Sequence, residues 1–154
     1  MPPILKNIMA VVVGFVVGSL VNMAIILVGP MLIPLPAGVD MSNMDSFAEN
    51  LKRLEPANFI APWLAHALGT LFGAMTAARI AATHKMVIAL AMSGLFLLGG
   101  ITAVAMFGGP LWFILLDLVG AYLPMGYLGG VLAGANNPLP PPPQPMDEPG
   151  TTLE

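Results

Sequence analysis

The sequence predicts an all-α integral membrane protein: a four-transmembrane-helix bundle with a short amphipathic outer helix. Three observations predict it. The chain is 57% hydrophobic and only 8% charged, whereas a soluble domain is about 25% charged. Its apolar residues fall in four blocks, 8–28, 59–82, 86–107 and 111–133, each near the ~20 helical residues that cross a bilayer. No segment has the ~10-residue apolar/polar alternation of a barrel strand.

Each element has a local reason. The first block, "IMAVVVGFVVGSLVNMAIILV", follows Lys6 and is too long for the core of a secretory signal. Gly29 and Pro30 are expected to end it. The second carries Pro62 in its first turn, where a missing N–H matters least. The fourth carries Pro124 in its middle and should kink there. Between the first two blocks, Met44, Phe47, Leu51 and Leu54 recur at three- and four-residue intervals. That spacing predicts an amphipathic surface helix over 43–54, with Ser42 and Asp45 as a weak capping box. Residues 1–134 form one membrane domain. Residues 135–154, with "NNPLPPPPQP", read as a disordered Pro-rich tail ending in Leu153 and Glu154, from which no function is argued.

Composition removes several function classes. There is no cysteine, hence no disulfide, thiolate metal site or cysteine nucleophile. The net charge is -3 and no basic run exists, so a nucleic-acid partner has no electrostatic support. The 12 methionines are scattered without a soft-metal track and read as apolar filler. No cofactor is implied. With four spans, Lys6, Arg79 and Lys85 share one side, while Lys52 and Arg53 share the other with four carboxylates. The positive-inside rule then places both termini in the cytoplasm. Trp63 and Trp112 fall at the outer interface, a common place for amphipathic rings.

Polar side chains inside the spans are the candidate site. Counted at 1.5 Å per residue from the outer helix ends, Asn22, His66 and Asp117 lie about 9–10 Å deep, and Thr102 about 7–8 Å. Three readings of this layer compete. The leading one is an interhelical hydrogen-bond cluster, making the chain a structural or accessory bundle. The alternative is a proton, ion or small-solute transporter or channel with an outward-facing His66/Asp117 site, since an intramembrane ionisable pair is expensive unless used. A membrane enzyme with His66 as base stands third, because Ser19 has no nucleophile motif around it. No metal site is expected, His84 being at the opposite end from His66.

Small residues at four-residue spacing mark the packing faces: Gly14 and Gly18, Gly69 and Gly73, Gly126 and Gly130. Such stripes let helix backbones approach closely. They serve either the core of one bundle or a homodimer seam. The expected partners are therefore the lipid bilayer, a second copy of the chain, and a small solute or proton.

The Asn-bearing first helix, "LPAGVDMSNMDSFAENLKRL", "WLAHALGTLFGAMTAARIA" and "PLWFILLDLVGAYLP" together resemble a group of small four-span bacterial membrane proteins with no assigned activity. The resemblance covers about 8–134. It implies a multi-pass protein of the bacterial inner (cytoplasmic) membrane and adds no catalytic residue. The chain also departs from small proton-coupled multidrug transporters, whose characteristic carboxylate lies in the first helix, where this chain has Asn22.

Overall fold

A computed structural model describes residues 1–136, and every described element is helical. The chain order is α1 (Pro3–Leu32), α2 (Phe47–Leu51), a 3₁₀ turn (Pro56–Phe59), α3 (Ile60–Ile80), α4 (Lys85–Phe107), α5 (Leu111–Gly120) and α6 (Leu123–Leu132). Four helical segments are long and apolar enough to cross a membrane: Pro3–Leu32, Pro56–Ile80, Lys85–Phe107 and Leu111–Leu132. The tail expected over 135–154 lies, from residue 137 on, outside the described residues.

Helix α3 is the hub. It packs against α1, α4, α5 and α6, and its sequence explains why. Ala65, Ala67, Gly69, Thr70, Gly73, Ala74, Ala77 and Ala78 are all buried. Small side chains around most of the circumference let several helices come close. Against α1 the fit is tightest and antiparallel. A Cβ on Gly14 or Gly18 would lie 2.6 Å from the carbonyl oxygen of Gly73 or Gly69, respectively. The two glycine stripes are thus spent against each other within one chain. Phe96 of α4 fills the remaining groove, stacked on Phe15 with ring centroids 5.5 Å apart. Gly126 rests on Ser93 and Gly130 on Met86, closing α6 onto α4.

The first span continues past its expected end. Pro30 sits inside α1, which runs on to Leu32 before Ile33 donates its N–H to the Gly29 carbonyl. A proline costs one donor, and one such loss near a helix end does not stop a 30-residue helix. The fourth span is broken, where the sequence predicts only a kink. α5 ends at Gly120 and α6 begins at Leu123. Pro124 has no N–H to offer the Gly120 carbonyl, and Ala121 and Tyr122 form a bend between the two helices. α6 ends in a Schellman turn: Ala135 donates to the Gly130 carbonyl and Gly134 to that of Val131, with Gly134 at φ 76°.

The surface helix expected over 43–54 shrinks to Phe47–Leu51. Local side-chain bonds take its first turn. The Ser42 hydroxyl and N–H both donate to Asp40, and Asn43 accepts the Asp45 N–H. Such Asx turns compete with helix, so the Ser42/Asp45 box does not form. The paired Ser42 donors hold the exposed Asp40 carboxyl below its ordinary range. A capping box occurs instead at the 3₁₀ turn, between Glu55 and Asn58. The loop is fastened as a cap: Arg53 donates to the carbonyls of Ala37 and Gly38, Asn50 to that of Asp40, and Asn58 to that of Pro34. Phe47 packs on Phe107 at 4.7 Å between ring centroids, seating the cap over the end of α4. At the opposite end Asn7 clasps α1 to the α3–α4 turn. Its Oδ1 accepts the Ala82 N–H, and its Nδ2 donates to Thr83 Oγ1.

Candidate functional site

The carboxylate that interrupts the fourth apolar block lies against α3. Asp117 is 3% exposed and is the buried residue of α5. His66 Nδ1 stands 2.8 Å from one of its oxygens and 3.0 Å from the other. The Tyr122 hydroxyl donates to Oδ2 at 3.1 Å. Tyr122 also stacks beside the imidazole, with ring centroids 5.7 Å apart. Hydrogen bonding to an ionised carboxylate requires the proton on Nδ1, and in a neutral ring with that tautomer Nε2 keeps its lone pair. Nε2 makes no hydrogen bond among the described residues.

Tyr122 belongs to this site, and the sequence reading passed over it. Its place just before Pro124 is the one sequence feature that marks it. In the structure it faces Gly100 of α4, where a Cβ would lie 2.7 Å from the phenol Cζ. A glycine there leaves room for the ring. Trp63, one turn before His66, donates its Nε1–H to the Leu116 carbonyl at 3.4 Å, fastening α3 to α5 beside the site.

The other two members of the expected layer do not touch the pair. Thr102 is exposed, and its hydroxyl donates to the Leu98 carbonyl of its own helix at 2.8 Å. Back-bonding of this kind satisfies a threonine without a partner helix, so depth alone misplaced Thr102. Asn22 lies on a small cavity of about 190 Å³ that His66, Thr70 and Tyr122 also line. Asn22 Oδ1 and Thr70 Oγ1 are buried without a hydrogen-bond partner among the described residues. Ser19 lines neither this cavity nor the larger one described next.

His66 also lines a chamber of about 340 Å³ beneath the loop cap. The end of α1, the starts of α3 and α5, and the end of α4 wall it, and Met41, Phe47 and Leu51 lie on the cap side. His66 therefore lines both the apolar chamber and the smaller cavity.

No protein-family model, curated protein or solved structure matches the chain. What the site does has to be argued from its own geometry. No group of three or more His, Cys, Asp or Glu residues that could hold a metal ion occurs among the described residues. The arrangement can hold one proton on Nδ1 and accept another on Nε2.

Proposed function

We propose that the chain is an integral protein of the bacterial inner membrane, with both termini cytoplasmic, that binds protons and a small solute at His66 and Asp117 and carries them through the bundle. One observation carries this reading: His66 is anchored through Nδ1, its Nε2 makes no hydrogen bond among the described residues, and the residue lines both cavities. A purely structural pair would be sealed by packing, and the His66 side chain is 27% exposed. Asp117 and Tyr122 fix the ring and its tautomer, the role such partners play for histidines that shuttle protons.

Insertion is supported by the four apolar segments and by the many large apolar side chains on the outside, among them Ile8, Val12, Leu20, Leu98 and Val119. The test is proton flux in liposomes under an imposed pH gradient. The intact protein should dissipate the gradient faster than empty liposomes, and His66→Gln and Asp117→Asn should lose most of that flux while still inserting. No flux from intact, folded protein defeats the reading and returns the pair to structural glue.

A further inference from the structure

The larger chamber has a chemistry of its own. Only Asn58 and His66 bring polar side chains to its lining, and no charged residue does. Asn58 is occupied, its amide nitrogen donating to the Pro34 carbonyl and its oxygen accepting the Glu55 N–H. Each polar atom of the Asn58 side chain thus has a partner, whereas His66 Nε2 has none among the described residues, and the other lining side chains are apolar. Pockets of a few hundred Å³ with apolar walls and few polar groups are the ordinary form of a small-molecule site. At about 340 Å³ the chamber is roughly twice an engineered ~150 Å³ cavity that takes benzene.

We propose that this chamber binds a neutral medium-chain amphiphile, an alcohol or a phenol, with its apolar body under the loop cap and its hydroxyl donating to Nε2 of His66. The proposal rests on the reading of His66 as an open site. The head group follows from what surrounds that atom. With Nδ1–H directed at Asp117, Nε2 of the neutral ring accepts and does not donate, so a hydroxyl suits it better than a carbonyl. An anionic head would meet the Asp117 carboxylate behind the ring and no lysine or arginine in the lining. A fully polar solute would leave its remaining donors against Phe47, Leu51 and Val104. The amphiphile's hydroxyl takes the Nε2 lone pair, so occupancy of the chamber competes with proton uptake at the same nitrogen.

The test uses the full chain in lipid nanodiscs and a diazirine-bearing eight-carbon alcohol, with labelled residues mapped by mass spectrometry. Labels are expected on Met41, Phe47, Leu51 or Val104. Excess 1-octanol should reduce them at least fivefold, and octane at the same membrane concentration should not. His66→Leu should erase that preference for octanol. Val104→Trp, which fills the chamber, should reduce labelling, and Leu98→Trp, on the exposed face of α4, should leave it unchanged. Equal competition by octanol and octane in the intact protein, or labels confined to outward residues such as Leu98 and Ile101, means general lipid contact and overturns the assignment. Proton flux without chamber labelling defeats this proposal alone. Chamber labelling without proton flux defeats the proton reading alone.

Discussion

At the scale of single residues, the site turns on one carboxylate with two donors. Asp117 is buried between His66 and Tyr122, and each donor contributes through the charge it meets. Hydrogen bonds to charged groups are worth about 1.5–3 kcal/mol in proteins. Tyr122→Phe keeps the ring against Gly100 and removes only the hydroxyl. It should destabilise the bundle by about 1–3 kcal/mol, read as a lower thermal midpoint in mild detergent, and an unchanged midpoint would show that the bond contributes nothing. The sequence made His66 and Asp117 legible as a pair because ionisable residues are rare inside apolar blocks, and equal depth put them on one level. Tyr122 was illegible for the opposite reason. A tyrosine in an apolar block is ordinary, and its direction depends on a backbone break whose position Pro124 suggests but does not specify. Thr102 shows the limit of depth as an argument, since azimuth decided its partner.

At the scale of elements, glycine placement sets the helix contacts. Gly18 lies against the Gly69 carbonyl and the Phe96 ring, whereas a Cβ on Gly94 would meet nothing within 4 Å. Gly18→Val should therefore cost about 1–3 kcal/mol or more through overpacking. Gly94→Ala should be neutral or stabilise by up to about 1 kcal/mol. Parallel thermal melts check the contrast, and equal effects would remove the α1–α3 contact from the account of stability. The stripes themselves were legible by spacing, but their partner was not. A four-residue repeat of small residues is the same whether it meets its own chain or another, and only the antiparallel seating of Gly14 on Gly73 shows the intramolecular use. The loop helix was half legible. Apolar spacing located it, but the side-chain bonds of Asp40 and Asn43 shortened it.

At the scale of the molecule, helix number and order were the most legible features, because each apolar block is bounded by glycine, proline or charge. The structure adds which ends meet. The Asn7 clasp gathers the start of α1 and the α3–α4 turn at one end, and Phe47 on Phe107 and Phe59 on Trp112 gather the loop cap and the α4–α5 turn at the other. In the proposed orientation, a cysteine placed in the loop at Ala48 should react with an impermeant thiol reagent added outside intact cells, and one at Thr83 should not. The reverse pattern inverts the topology. Reaction at both positions breaks the pairing of ends.

The clasp at Asn7 has a further meaning for anything that would pass through. Toward the Asn7 end, α1 and α3 meet backbone against backbone, glycine carbonyl on glycine, and beyond that lies a turn tied down by three hydrogen bonds between the two polar atoms of the Asn7 side chain and residues Ala82 and Thr83. Both cavities described lie toward the loop-cap end, and the opposite end is the one fastened by polar bonds. Opening that end would require Asn7 to release Ala82 and Thr83, so Asn7→Ala should loosen the α3–α4 turn without touching either cavity.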